Sequence, residues 1–294
     1  MSLVERALKK LQQSTRPGQV PGTMSAPGSA SNGIAMPAPA TPVRRRVVQQ
    51  QTPISVDRNA LRAAGLMAPE HQERQLGDQY RQIKRPLLAN AMGRGAKKLA
   101  NGQLIMTASA LPEEGKTFTS FNLALSIALE KDLTVLLVDA DVSKRHISRI
   151  LGLESNAGLL DALKDDTLDL ESLVVPTDIE GLSILPAGNR TDIATELLSS
   201  THMENTVSRL GAHDPNRIVL LDSPPLMLTS ESRALAAMVG QVVVVVRAGH
   251  TPQQAVLDAV SHIPADKAVG FVLNQSHLQT SEGYYYTDDH HGGE

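Results

Sequence analysis

Six short apolar runs, LIMTAS, LTVLLVDA, LSILPA, RIVLLDS, QVVVVVRA and AVGFVLN, follow one another from Leu104 to Asn274, with stretches of helical period between them. Such alternation predicts an α/β fold: a mainly parallel sheet whose crossover connections are helices packed on its faces. The run from Val242 to Val246 is apolar at every position, as befits a strand covered on both sides. A chain of 294 residues, 41% of them hydrophobic, is long enough for one large domain of this kind with extensions at its ends. No run approaches the roughly 18 apolar residues that cross a bilayer, and the first residues lack the apolar centre of a secretion signal. The chain shows no internal repeat.

The first run leads into ALPEEGKT, Ala110 to Thr117, and from there into the helical stretch GKTFTSFNLALSIALEK. Strand, glycine-bearing loop and helix in this order are the context a phosphate-binding loop requires. Backbone N–H groups of the loop and of the helix N-terminus, over Glu114, Gly115, Lys116, Thr117 and Phe118, are expected to surround phosphates. Lys116 is expected to reach the β and γ phosphates of ATP, and the Thr117 hydroxyl to ligate Mg²⁺. Ala110 stands where the usual pattern has glycine, which the loop tolerates if its backbone avoids a positive φ angle. Two further runs end in carboxylates: LLVDAD places Asp139 and Asp141 at one strand end, and IVLLDSPP places Asp222 at another. Ligands of an open parallel sheet lie at the carboxyl ends of its strands, so the three aspartates can converge on the phosphate loop as metal ligands and catalytic groups.

The ends of the chain differ in character. Residues 1–53 carry seven Lys and Arg against Glu5 alone, which leaves the rest of the chain acidic within a net charge of -3. Residues 1–14 place Leu3, Val4, Ala7, Leu8 and Leu11 on one helical stripe, which reads either as a small helix that touches a partner or an anionic membrane, or as a marginal helix on a polar tail. Residues 15–56, rich in Pro, Gly, Ser and Ala, read as a flexible basic linker, so that the N-terminal extension is expected to be disordered. Residues 57–95 turn helical, with Pro86 expected to kink or end the helix that holds Tyr80 to Arg85. Residues 96–276 form the phosphate-loop domain, and 277–294 a tail that holds Tyr284, Tyr285 and Tyr286, three of the four tyrosines of the chain. That tail leaves the last strand on the phosphate-loop side, and ten residues span up to roughly 33 Å, so these phenols can be offered as phosphate acceptors. The absence of cysteine excludes disulfide and thiol chemistry and fits a reducing cytosol. With 2% aromatic residues the chain lacks base-stacking platforms, and no nucleic-acid partner is expected.

On ALPEEGKT, VDAD, LLDSPP, GFVLN and the terminal tyrosines, the chain resembles the bacterial tyrosine kinases that govern polysaccharide polymerisation and export, over roughly Gln72 to Tyr286. Those kinases are built on a P-loop NTPase fold related to the chromosome-partitioning ATPases. The combination of MSLVERAL with YRQIKRPLLANAM resembles the subset found with the exosortase (PEP-CTERM) type of exopolysaccharide system. The resemblance implies ATP- and Mg²⁺-dependent autophosphorylation of Tyr284, Tyr285 and Tyr286 between neighbouring subunits of a ring. It assigns Lys116, Asp139, Asp141 and Asp222 to catalysis, Thr117, Asp139 and Asp222 to the metal, and Asn274 to the adenine. Asp78, Arg81 and Lys84 occupy the places of the motif that drives ring assembly. Ser143 stands where the family often has arginine, with Lys144 and Arg145 after it. Implied partners are the cytosolic end of a membrane chain-length regulator and a protein-tyrosine phosphatase, with a cytoplasmic location at the inner membrane held through a partner. Two other readings stay open: an ATP-switched positioning or scaffold ATPase, and a nucleotide-binding regulator without catalysis. Leu111, where the partitioning ATPases carry a loop lysine, and the tyrosine tail argue against the first.

Overall fold

A computed structural model describes residues 52–96 and 98–276. The N-terminal helix of residues 1–14, most of the basic linker and the tyrosine tail lie outside the described residues. The others build a seven-stranded sheet in the order β3-β4-β2-β5-β1-β6-β7. Its strands are β1 (Leu104–Ser109), β2 (Thr134–Asp139), β3 (Val175–Pro176), β4 (Leu182–Leu185), β5 (Arg217–Asp222), β6 (Gln241–Arg247) and β7 (Ala268–Asn274). The six expected runs are all strands and all run parallel to one another. The seventh strand, β3, is a two-residue antiparallel edge piece on β4, too short to leave a periodic signal in the sequence.

Helices cover both faces: α1 (Arg58–Ala63), α2 (Glu70–Ala91), α3 (Lys116–Ala128), α4 (His146–Ile150), α5 (Leu159–Lys164), α6 (Ala194–Leu198), α7 (Thr201–Ala212), α8 (Ser230–Met238) and α9 (Gln253–Ser261). Side chains alternate across the strands, so β1 sends Met106 and Ala108 into one core and Ile105 into the other. The second core is sealed by α3, whose Phe121, Leu123, Ala124 and Ile127 are fully buried, and by Tyr80 and Leu87 of α2 outside it. No helix among the described residues is long and apolar enough to cross a membrane.

Three expectations are corrected. Helix α2 continues through Pro86 to Ala91, so of the two outcomes expected there, a kink or an end, the end does not occur. Proline removes one helical hydrogen bond, at a cost of about 3 kcal/mol, and tertiary ties beyond it offset that loss. The buried Gln241 amide donates to Leu87 O at 3.0 Å and to Gly102 O at 2.6 Å, and accepts from Asn90 Nδ2 at 2.9 Å. Lys84, expected to face a neighbouring subunit, is 5% exposed. Its ammonium donates to Ser126 O and pairs with Glu130 Oε1 at 2.7 Å, so it fastens α2 to the end of α3. Its burial at the four-residue spacing from Tyr80 that puts both on one face of α2 explains the change of role. The linker, expected to reach residue 56, gives way earlier to a docked segment. Ile54 bridges to Thr177, and Asp178 accepts from Val56 N at 2.9 Å and from Ser55 Oγ at 2.9 Å.

Candidate active site

The phosphate loop is shaped by two left-handed residues, Glu113 (φ 60°) and Gly115 (φ 90°), and not by Ala110, whose φ is not positive. Ala110 therefore replaces glycine without strain. At Gly115 a side chain is excluded twice over, by the φ angle and because a Cβ there would meet Asn274 Nδ2 at 1.9 Å. That amide nitrogen donates to Glu114 O at 2.9 Å and so fastens the loop to the end of β7. The buried Glu114 carboxylate faces into the protein: Oε2 accepts from Leu111 N at 2.8 Å, and Oε1 accepts from the Thr251 hydroxyl. Its side chain is a brace for the loop, which leaves its backbone as the part able to meet phosphate. Lys116 opens α3 in a buried position. Burial pushes its ammonium pKa down and nearby Lys144 adds to that, while Asp222 and Asp141 hold it up.

Asp139 and Asp222 end neighbouring strands in direct register, and Asp222 is also opposite Thr107 of β1. Both carboxyls are fully buried. Asp139 Oδ2 accepts from Ser148 N at 2.8 Å and Ser148 Oγ at 2.7 Å, and Asp222 Oδ1 accepts from Ser120 Oγ at 2.9 Å. Asp139 Oδ1 and Asp222 Oδ2 have no hydrogen-bond partner. Burial pushes Asp139 up to about 7 against the pull of the Ser148 bonds. Burial likewise pushes Asp222 up to about 6, with Lys116 and the Thr117 and Ser120 hydroxyls acting in the opposite direction. Unsatisfied carboxylate oxygens in a buried site are costly unless a proton or a cation meets them. Two carboxylates and the Thr117 hydroxyl fit Mg²⁺, which keeps several waters and takes its other ligands from substrate phosphates. Asp141 differs, since its Oδ1 accepts from Ser143 Oγ at 2.8 Å and caps the turn that follows β2.

A cavity of about 530 Å³ joins these elements: Glu113, Gly115, Lys116, Thr117 and Phe118 form one wall, and Asp141, Ser143, Lys144, His146, Arg149 and Arg190 the other. Burial, reinforced by Arg149 and Lys144, holds the His146 pKa below its usual value, so this imidazole is neutral near pH 7. A second cavity of about 460 Å³ lies between α2 and β7, lined by Tyr80, Phe118, Phe271 and Asn274 among others. Phe118 borders both cavities. The structure thus brings together Lys116, Thr117, Asp139, Asp141, Asp222 and Asn274 around one loop. Asp78 and Arg81 sit elsewhere, paired with each other on the outer face of α2, each side chain 54% exposed. Tyr284, Tyr285 and Tyr286 are outside the described residues. Ser120, Ser148 and Thr251 escape a reading of the sequence, because a serine or threonine that satisfies a carboxylate from a distant element leaves no local pattern.

No family model matches the chain. It is 29% identical over 217 residues to the tyrosine-protein kinase YwqD of Bacillus subtilis, an alignment that covers 72% of this chain and 87% of that relative. It is 28% identical over 187 residues to the tyrosine-protein kinase ptk of Acinetobacter johnsonii, covering 63% of this chain but only 25% of that relative's length. Among solved structures, the kinase domain of VpsO superposes with a TM-score of 0.57 at 28% identity, over 71% of this chain and 100% of that domain.

Proposed function

We propose, from the premise that the chain belongs to the bacterial tyrosine kinase family, that it transfers phosphate from ATP to tyrosine, first to its own Tyr284, Tyr285 and Tyr286. By this reaction it would regulate exopolysaccharide chain length, polymerisation and export. The observation that carries the reading is the register pair Asp139 and Asp222, each with one unpartnered buried oxygen, beside the phosphate loop. Phosphoryl transfer needs alignment and charge neutralisation more than covalent help. The backbone of Gly115 to Phe118 would align the phosphates, and Lys116 would neutralise them in a buried setting where its charge acts strongly. Thr117, Asp222 and Asp139 would hold Mg²⁺, which supplies further charge neutralisation. Asp139, at the end of β2 beside Asp222, would also take the phenol proton during transfer. Asn274 and the cavity lined by Tyr80, Phe118 and Phe271 would receive the base.

The same reading supplies partners: further copies of the chain as a ring, with Asp78 and Arg81 at the contact, the cytosolic end of a membrane chain-length protein as activator, and a tyrosine phosphatase that resets the tail. The protein would then work in the cytoplasm at the inner membrane through that activator, in the exosortase type of system if the N-terminal likeness holds. The test is intact-mass measurement after incubation with Mg·ATP. Phosphate should appear on the wild type, and on neither Lys116→Met nor the chain with Tyr284, Tyr285 and Tyr286 changed to Phe. ATP consumed without added phosphate, with the activator's cytosolic segment present, would overturn the kinase reading in favour of a switch ATPase.

A further inference from the structure

The wall opposite the phosphate loop carries three cations that nothing above employs. Lys144, Arg149 and Arg190 all line the cavity, all are exposed, and none has a side-chain partner among the described residues. Among the described residues, only Asp141 and Glu113 offer carboxylates on the same cavity, and Asp141 is occupied in capping its own turn. The backbone beneath these cations is pinned. Ser148, the residue before Arg149, donates twice to Asp139 and accepts from Ala187 N at 3.0 Å, which joins α4 to the ends of β2 and β4. Arg145, in a left-handed conformation, turns its guanidinium away from the cavity to Gly188 O at 3.0 Å. Asn189, the residue before Arg190, is gripped by Asp161, which accepts from its backbone N and its side-chain Nδ2, both at 2.9 Å. Long cations fixed at their base and free at their tips are suited to an anion that arrives from outside.

We propose that Lys144, Arg149 and Arg190 form a docking row for the acidic segment around the acceptor tyrosines, Glu282 to Asp289; this rests on the kinase reading above. Residues 277–294 contain Glu282, Asp288, Asp289 and Glu294 and no Lys or Arg, so the charges are complementary. The segment also starts beside the site, since Ser276 and Asn274 border the cavity that shares Phe118 with this one. Each phosphotyrosine adds about -1.5 to -2 charge, so the row holds the segment more tightly after the first transfer and favours the next.

The test uses the full chain with its three terminal tyrosines changed to Phe, and synthetic peptides of residues 278–294 as acceptors, natural or with Asp288→Asn and Asp289→Asn. Exposed ion pairs are each worth roughly 1.5- to 5-fold in affinity. The combined Arg149→Glu and Arg190→Glu change should therefore raise the KM of the natural peptide about 3- to 10-fold, remove its advantage over the neutral peptide, and leave the KM of ATP unchanged. An unchanged peptide KM overturns the proposal, as does a rise confined to the KM of ATP, which would assign the cations to the nucleotide. If no peptide is phosphorylated even with the activator's cytosolic segment present, the kinase reading fails, and fluorescence anisotropy of the labelled natural peptide on nucleotide-free protein decides the row by itself. Equal binding to both proteins overturns it, and weaker binding to the reversed one sustains it. Should charge reversal lower the melting temperature, Arg149→Gln with Arg190→Gln takes its place in the same measurements.

Discussion

Replacing Asp139 by Asn should stabilise the ligand-free protein, and by an amount that depends on pH in a defined direction. The carboxyl is fully buried, with its value pushed up to about 7 from an ordinary 3.8. Because the folded value lies above the unfolded one, the folded state binds a proton that the unfolded chain releases. The stability this confers is complete below about pH 4 and is lost as pH rises through 7. A rise of about three pH units, at about 1.36 kcal/mol for each, amounts to roughly 4 kcal/mol above pH 7. Asparagine keeps an oxygen for Ser148 N and Oγ but accepts less strongly than a carboxylate, a loss on the order of 1 kcal/mol. The net gain near pH 8 is thus about 3 kcal/mol, or roughly 6 to 12 °C in melting temperature for a domain of this size. Near pH 5 it should shrink to under about 1 kcal/mol, since wild-type Asp139 is then mostly protonated in the fold. The assay is thermal unfolding of both proteins at pH 5 and pH 8 in EDTA without nucleotide, where comparison at each pH cancels the titrations that do not couple to Asp139; Asp222 and Asp141, which do, shift with it. A gain of equal size at both values, or none at pH 8, would refute the argument that an uncompensated charge sits at this position.

Three further outcomes are expected. Lys116→Met and Thr117→Ala should each fold, yet Mg·ADP at about 100 times its wild-type Kd, which raises wild-type stability by about 2.7 kcal/mol, should shift neither melting curve appreciably. Glu114→Ala leaves Leu111 N and the Thr251 hydroxyl without their acceptor, so it should cost about 1–3 kcal/mol in urea unfolding and weaken nucleotide binding through a looser loop; Glu114→Gln should recover part of both. Lys84→Ala strips Ser126 O and Glu130 of a buried partner and should lower stability by about 1–3 kcal/mol. Arg81→Ala, on the exposed face of the same helix, should change stability by less than about 1 kcal/mol and act, if ring assembly runs through that face, on the mass of the assembly measured by light scattering.

Strands are legible in the sequence because burial on both faces demands unbroken apolar runs, and the phosphate loop because Gly115 and Lys116 have few substitutes at the start of such a helix. That Asp139 and Asp222 both reach the phosphate-loop edge follows from their places at strand ends, although their pairing side by side, which depends on strand order, does not. Lys84 and Pro86 depart from expectation for a shared reason. The local habit of each is charge outward and helix broken, while the sheet side of α2 supplies partners that reverse the preference: Ser126 O and Glu130 for the lysine, the Gln241 amide for the turn after the proline. Partners drawn from remote elements are set by the packed fold, and no window of sequence contains them.

The unpartnered oxygens and the pinned cations trace to one arrangement. Ser148 satisfies Asp139 Oδ2 with both of its donors, and in doing so leaves Oδ1 with nothing to accept from. The same two bonds fix α4 against the end of β2, and with it the outward position of Arg149. A group that favours the charged carboxylate thus also orders the rim of the site. Ser148→Ala separates these roles: with two donors gone to one, Asp139 should hold its proton to still higher pH, and the 187–190 segment should lose the Ala187 N tie. Hydrogen exchange at Ala187 reports the second effect, and the pH at which the stability of Ser148→Ala and wild type diverge reports the first. A change in exchange without any change in the pH profile would mean that Ser148 organises the rim alone and does not tune the carboxyl.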